Sequence, residues 1–528
     1  MNMTIAGLVE ESRGEDAGRM RLVVVAASLG TVFEWYDFFL YGSLAVFFSA
    51  LFFPPGNETA AFLASLATFG AGFAVRPLGA LVFGALGDRI GRKRSFLITM
   101  VIMGLATLIV GLLPTYEQVG LWAPILLVTS RLAQGLAVGG EYGGAATYVA
   151  EHAPAVSRGY ATSWLQTTAT IGFLMSLVVI LACRVTLGDD AFRMWGWRLP
   201  FLTSIVLLLV SLYIRLKLEE SPIFERMKSQ GRISRAPIKD SFADRNNLKR
   251  VLITLFGITT GMTVIWYTSQ FYALFFMQAV LQVDYKTSYA IFAIGLTVGM
   301  PLIVIFGALS DRIGRKPVMV AGMLLGAVTL VPAFHALADF TNPGLVAFSR
   351  QNPITIAGDG CTFSLFAKPV SDCDRARNFF SRNGLSYVSV PGTGVVTTVG
   401  DTQLIGFDEA TYKKALDEAG FRAVPAAINL AGAVAVVVWL SALIGMVYGP
   451  MAAFLVEMFP ASIRTTSLSL PYHLGVGILG GFLPFAASAL VIYQGNIFAG
   501  LWYPVSIALA TAVVGLIFLP ETKDRTID

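Results

Sequence analysis

Five charged side chains lie inside stretches that are otherwise apolar: Glu34, Asp37, Arg76, Arg131 and Glu141. Each is costly in such surroundings, so each is a candidate for chemistry. Glu34 and Asp37 stand three residues apart on one helical face, with Tyr41 one turn further on. An arginine keeps its proton here, so Arg76 and Arg131 are fixed cations whose planar fork suits a carboxylate. The acids can be neutralised. Dry surroundings favour the neutral carboxyl, and a nearby arginine favours the carboxylate. A site that opens and closes can therefore load and release a proton at Glu34, Asp37 or Glu141. The plainer alternative is permanent internal ion pairs, Glu141 with Arg131 or Asp37 with Arg76.

The stretches that carry these charges are long enough to cross a bilayer. Of 528 residues, 55% are hydrophobic and only 13% charged, with mean hydropathy +0.69. Ordinary globular chains are about 25% charged. A span needs about 20 apolar residues. Twelve stretches qualify: 22–50, 60–86, 95–113, 122–150, 159–187, 198–217, 248–280, 288–309, 318–337, 425–456, 467–492 and 499–519. At about 1.5 Å per residue, Glu34 and Asp37 lie about 18–22 Å into span one, and Arg76 lies about 18 Å from Asp88 at the end of span two. All three are thus near midplane. The alternating strands of a barrel are absent, and Glu10, Glu11, Glu15 and Asp16 stand where a signal peptide would be basic. The second half puts no comparable charge in its spans. It offers Trp266, Tyr267, Gln270 and Tyr272 in span seven and Tyr472 and His473 in span eleven. Gln166, Thr167 and Thr168 in span five line the site or bridge helices. An aromatic and amide wall facing a charged wall suits a small, partly apolar anion or zwitterion. His473 is either a titrating group or a hydrogen-bonded structural histidine.

The chain is built from two related halves. Residues 84–93 read GALGDRIGRK and residues 307–316 read GALSDRIGRK. A second pair follows: Glu151, Pro154 and Arg158 after span four, and Glu457, Pro460 and Arg464 after span ten. The first repeat is displaced by 311 − 88 = 223 residues and the second by 457 − 151 = 306, so the second half holds an insertion of about 83 residues. Residues 338–424 are the only polar stretch that fits. The predicted fold is an all-α membrane protein of twelve transmembrane helices in two pseudo-symmetric six-helix bundles, with a small α+β external insertion. The predicted units are 1–217, a linker 218–247, a second bundle 248–337 plus 425–519, the insertion 338–424 and a tail 520–528. Within the insertion, Tyr387–Val390 and Val395–Val399 read as strands, and Ala410–Ala419 reads as a helix stopped by Gly420. A domain this small outside the cytosol gains from a disulfide between Cys361 and Cys373; Cys183 reads as inert packing.

The basic excess is topological and does not point to nucleic acid. Segment 215–250 holds ten Lys/Arg against five Asp/Glu, whereas 51–60, 114–121 and 492–499 hold none of the basic type. The positive-inside rule makes the first cytoplasmic and the others external. Both termini are then cytoplasmic and the insertion is external.

The motifs resemble a known family. The repeated loop resembles the signature of the major facilitator superfamily. The run Gly30 to Gly42 around Glu34 and Asp37, Arg76-Pro77-Leu78-Gly79, Arg131 to Gly135, Gly139 to Gly144 and Trp197 to Phe201 resemble its metabolite:proton symporter branch. The likeness covers all twelve spans and not the insertion. It implies a bacterial inner-membrane carrier, a monomer among lipids, with protons as coupling ion and no other cofactor or metal. It also implies loops that latch the two halves on the cytoplasmic side while the outside is open: Asp88, Arg89, Arg92, Asp311, Arg312 and Arg315, with Glu151, Arg158, Glu457 and Arg464 as partners. A long loop between spans nine and ten occurs in carriers of small monocarboxylates such as haloacids. The expected function is proton-coupled uptake of a small organic acid by alternating access. The expected substrate-binding residues are Arg76, Arg131, Tyr41, Gln166, Trp266, Tyr267, Gln270 and Tyr472. The alternatives are another metabolite (a dicarboxylate, shikimate, proline or betaine) and a non-cycling receptor that senses ligand through the insertion. Span five lacks the proline motif of efflux carriers, and no nucleotide loop, metal cluster or nucleophile triad supports an enzyme.

Overall fold

Span boundaries follow from capping side chains at the edges of apolar runs. Asn57 caps span two by accepting from Ala60 N (3.0 Å), Asp244 caps span seven, Asp284 caps span eight, and Asn429 caps span ten. A computed structural model describes residues 28, 30–90, 92–140, 142–216, 229–230, 237–358, 369–460 and 463–527, the side chains at 84, 85, 87–90, 92, 93, 96, 214, 215, 237, 240 and 241 excepted.

Among the described residues, nine helices are long and apolar enough to cross a membrane: Glu58–Phe83, Ala155–Leu187, Gly196–Tyr213, Arg245–Val280, Tyr285–Ile313, Arg315–Thr341, Leu430–Met458, Arg464–Gln494 and Ala499–Phe518. A tenth span is bent by 61° between Gly30–Ser43 and Ala45–Phe52. The shorter Leu97–Leu112 supplies the third span, and Trp122–Gly139 with Tyr142–His152 the fourth. The fold is a multi-pass membrane protein of twelve helices in two bundles. Leu105, Ile109, Val298, Ile305, Val328 and Ile517 stay exposed on its outside, the side that lipid covers. Span seven differs: 78% of its apolar window is buried, against 33–56% elsewhere. It is the central helix, so its polar and aromatic residues face the inside.

The insertion stands at one end of the bundles. Span nine continues to Thr341 and span ten begins at Leu430, so the folded insertion occupies 342–429, a few residues later than the expected 338–424. Asn429 N donates to Phe340 O at 2.7 Å, which draws the two stalks together. Between them lies a four-stranded sheet in the order β2-β1-β3-β4: β1 Ile354–Ala357, β2 Val388–Val390, β3 Val396–Val399 and β4 Thr402–Ile405. Strands β1 and β2 are parallel, and the helix Asp372–Arg382 crosses between them; β3 and β4 form an antiparallel hairpin. The expected strands are β2 and β3, and the expected helix is Glu409–Glu418, closed at Gly420 with φ +85°. Strands β1 and β4 were not foreseen. Cys373 is buried and disulfide-bonded, and Cys183 is free. Cys361 lies outside the described residues.

Candidate functional site

Arg76 opens the second segment of span two, where Pro77 interrupts the helical ladder after Val75. Spans two and four touch backbone to backbone beneath it. A Cβ on Gly139 would sit 2.2 Å from Arg76 O, and one on Gly135 would sit 1.7 Å from Gly72 O. Only glycine admits this approach. The Arg76 side chain is fully buried, yet none of its three guanidinium nitrogens has a hydrogen-bond partner among the described residues. Its Cζ lies 5.1 Å from the Trp35 ring, 5.3 Å from Phe73 and 5.9 Å from Phe38, contacts that stabilise a cation without satisfying its N–H groups.

Arg76 lines a small cavity with Thr31, Glu34, Trp35, Val138, Tyr142, Ala145, Leu165, Gln166, Thr168 and Tyr448. A smaller neighbouring cavity shares Trp35 and Tyr448 and adds Ala169, Met262, Thr263, Trp266, Tyr267, Tyr472 and Val476. Span seven forms wide π-type turns at Leu255–Thr259 and Thr268–Tyr272, on either side of Trp266 and Tyr267; such turns re-aim side chains at functional positions. Gln166 Nε2 donates to Tyr142 OH and to Tyr448 O, both at 3.1 Å, and so ties the two halves at the cavity wall.

The remaining expected site residues divide. Glu34, Gln166, Trp266, Tyr267 and Tyr472 line this space with Arg76. Arg131 does not: its Nη1 donates to Phe38 O (3.2 Å) and Gln134 Oε1 (2.5 Å), and its guanidinium lies over the rings of Phe38 and Tyr41. Tyr41 donates its hydroxyl to Ser65 O at 2.9 Å, away from the cavity. Gln270 donates to Thr170 Oγ1 at 3.1 Å as a bridge between the halves. Asp37 is buried beside the Thr107 and Ser204 hydroxyls, inside the first bundle. An Asp37–Arg76 ion pair is not formed, and Glu141 lies outside the described residues. His473 is fully buried with neither ring nitrogen hydrogen-bonded among the described residues, so it is not the hydrogen-bonded structural histidine. Its ring packs on Tyr472 and Tyr142. Trp35, Tyr142 and Tyr448 were missed. Trp35 and Tyr142 adjoin two of the charges that flagged the site, whereas Tyr448 had no signal in the sequence.

At the end away from the insertion the two halves meet through buried charges. Arg158 pairs with Glu457 at 3.0 Å and Arg464 with Glu151 at 2.9 Å. Asp311 accepts from Gly159 N and Tyr160 N, both at 2.8 Å, so a carboxylate of one half caps the span-five helix of the other. Arg315 binds both Asp311 (2.6 Å) and Glu457 (3.2 Å). Arg312 is exposed and makes no ion pair among the described residues. The side chains of Asp88, Arg89 and Arg92 lie outside the described ones. The two halves also meet at the insertion end. Tyr289 OH donates to Ser43 O (2.6 Å), Tyr285 OH donates to Asp189 (2.5 Å), and Arg382 pairs with Glu58 (2.9 Å). The Tyr285 hydroxyl, with Arg184 beside it, holds the Asp189 carboxyl below its usual range. Among the described residues the two halves are thus joined on either side of the cavities.

This is the architecture of a two-bundle membrane transporter, and comparison with known proteins narrows it. A family model described as sugar (and other) transporter matches residues 22–250. The chain is 30% identical to the inner membrane metabolite transport protein YhjE of Escherichia coli K12 over the full length of both. It is 38% identical to the shikimate transporter of the same organism over 63% of this chain and 76% of that one. It is also 38% identical to the glycine betaine/proline/ectoine/pipecolic acid transporter OusA of Dickeya dadantii, where the match covers 60% of this chain and spans 65% of the relative's length. The solved proton:xylose symporter XylE shares the fold, with TM-score 0.61 and 18% identity over 97% of this chain and 98% of that one. The chain belongs to the major facilitator superfamily, among its metabolite transporters. It is therefore a transporter and not an enzyme, and the receptor reading finds no support among these relatives.

Proposed function

We propose that this protein takes up a small organic acid together with protons, its two halves rocking around the central cavity. The observation that carries the reading is Arg76: a permanent cation, fully buried, whose three nitrogens have no partner among the described residues, at a cavity that also holds Glu34. A buried unpaired guanidinium is costly, and a carboxylate solute would complete it with two parallel hydrogen bonds. Glu34 is the acid placed to exchange a proton with that event. The aromatic wall and the modest volume favour a monocarboxylate such as acetate or a haloacid. The buried ion pairs at the far end act as the cytoplasmic latch, an orientation that rests on the distribution of Lys and Arg.

A second reading follows from the smaller cavity. Trp35, Trp266, Tyr267, Tyr448 and Tyr472 surround it without a charged residue, which suits an alkylated ammonium. A zwitterion would set its carboxylate on Arg76 and its cation among the rings, in keeping with the betaine and proline named for one relative. Counterflow in proteoliposomes with acetate, chloroacetate, a dicarboxylate, shikimate and glycine betaine separates the readings. An imposed inward proton gradient should drive accumulation. Accumulation that follows a sodium gradient and ignores pH contradicts the coupling.

A further inference from the structure

The insertion is fastened very unequally to the two halves. Its second-half anchors are numerous and mostly made to backbone. Tyr387 N donates to Gly495 O at 2.7 Å, Tyr387 OH to Ile492 O at 3.1 Å, and Arg377 Nη2 to Tyr493 O at 3.0 Å. Ile497 N donates to Ser386 Oγ at 3.2 Å, and Gln282 Nε2 to Arg382 O at 3.1 Å. Gly384 lies against the end of span seven, where a Cβ would meet Val280 O at 1.9 Å. To the first half it reaches, among the described residues, with two side chains of one helix face. Arg382 pairs with Glu58 at 2.9 Å, and Asn378 meets the Thr59 hydroxyl. Both partners stand in the first turn of span two, the helix that carries Arg76 further along.

We propose that Arg382 and Asn378 are gate residues: the insertion travels with the second half and straps its end of the transporter shut by holding the first turn of span two. The inference rests on alternating access, and on neither the identity of the solute nor proton coupling. Three features carry it. The anchors to spans seven, nine and eleven make the insertion an extension of the second half. The closed state of this end also shows Tyr289 on Ser43 and Tyr285 on Asp189, so the strap is one of several contacts that must part together when the end opens. The Arg382 and Glu58 side chains are 39% and 72% exposed, and an exposed pair of this kind is worth a factor of only about two to five. A contact that strong biases the closed state without freezing it, which is what a gate broken in every cycle requires. No described residue of the insertion lines either cavity, so the strap acts on the conformational balance and not on solute contacts.

The test uses the full chain in lipid nanodiscs with Cys183 replaced by serine and spin-label pairs at exposed positions. Gln118→Cys with Lys413→Cys reads the first half against the insertion; Gln494→Cys with Lys413→Cys reads the second half against it. The expected result is a 494–413 distance that is single and constant, and a 118–413 distribution with a short and a long population. Arg382→Glu should lower the short-to-long ratio two- to five-fold, and the charge swap Glu58→Arg with Arg382→Glu should restore it. Raised salt should lower the ratio in the wild type and not in Arg382→Gln, which keeps the volume without the charge. A 118–413 distribution unmoved by Arg382→Glu, Arg382→Gln and salt overturns the proposal. So does a 494–413 distance that varies with the other. Failure to transport acids leaves these distances unaffected, so the two readings fail separately.

Discussion

Glu457 holds two buried arginines at the latch end, one from each half, and Glu457→Gln weakens both pairs at once. Its carboxylate accepts from Arg158 Nη1 at 3.0 Å, Arg315 Nη2 at 3.2 Å, Arg315 Nε at 3.4 Å and Thr522 Oγ1 at 2.8 Å. The side chains of both arginines are at most 4% exposed. Removing one partner of a buried pair costs about 3–5 kcal/mol, because the remaining charge is stranded. Glutamine keeps the volume and one acceptor, so the lower figure applies, about 3 kcal/mol. At about 1.4 kcal/mol per decade, the closed state of this end loses about a hundredfold in population. By contrast, the exposed Lys413–Glu409 pair of the insertion, at 2.7 Å, should contribute under about 0.5 kcal/mol. The assay is a distance distribution in nanodiscs between labels at the exposed positions Val156 and Asp524, alongside turnover in proteoliposomes. The distribution should move to longer distances and turnover should fall, with solute affinity in the accessible state retained. An unchanged distribution and wild-type turnover would refute the latch and leave the cluster as packing.

Other expectations follow from the same geometry. Gly139→Ala drives a methyl to 2.2 Å from Arg76 O, so it should displace Arg76 and abolish most uptake while the protein still inserts; normal uptake would show that spans two and four have slack. Cys373→Ala should lower the stability of the insertion by about 2–4 kcal/mol, read as its melting temperature. Joining residue 341 to residue 429 through a short linker should leave solute affinity within about tenfold of wild type, or about 1.4 kcal/mol, since the insertion supplies no cavity residue; complete loss of binding in the folded deletion would contradict this. Asp408 caps the helix Glu409–Glu418, and the Thr411 hydroxyl and amide hold its carboxyl below the ordinary value of 3.8. A depressed value stabilises the folded helix above the unfolded pKa, so this contribution is full near neutrality and fades as pH falls below about 4. Protection factors of the first-turn amides, corrected for the intrinsic pH dependence of exchange, should fall there, and Asp408→Ala should abolish that fall.

Some of this was legible in the residues, and some was not, for physical reasons. Hydropathy and the duplicated loop disclose the spans and the halves because a bilayer demands length and apolarity from each helix alone. Arg76 and Glu34 stand out because a charge in an apolar run is rare. Depth along a helix, however, says nothing of rotation about it. Arg131 and Asp37 lie as deep as Arg76 and Glu34, yet they pack inside the first bundle on Gln134, Thr107 and Ser204. Tyr41 went the same way. Trp35, Tyr142 and Tyr448 escaped notice because aromatic residues are ordinary in spans, and only the packed helices show which of them wall a cavity. The duplicated Glu-Pro-Arg loops nominated the latch residues. That Arg158 meets Glu457, and that Asp311 caps a helix of the other half, depended on how the halves dock. Strands β1 and β4 went unforeseen because they lack the valines that mark the equally short β2 and β3.

The central claim is that the Arg76 guanidinium receives the carboxylate of the transported solute. It is tested by equilibrium binding to purified protein, with radiolabelled solute from the counterflow panel, in wild type, Arg76→Lys and Arg76→Gln. Lysine keeps the charge and loses the fork. Affinity should fall at least tenfold in Arg76→Lys and further in Arg76→Gln, while circular dichroism and the latch-end distances stay those of the wild type. Wild-type affinity in Arg76→Lys would contradict recognition by the fork, and wild-type affinity in Arg76→Gln would show that the carboxylate binds elsewhere.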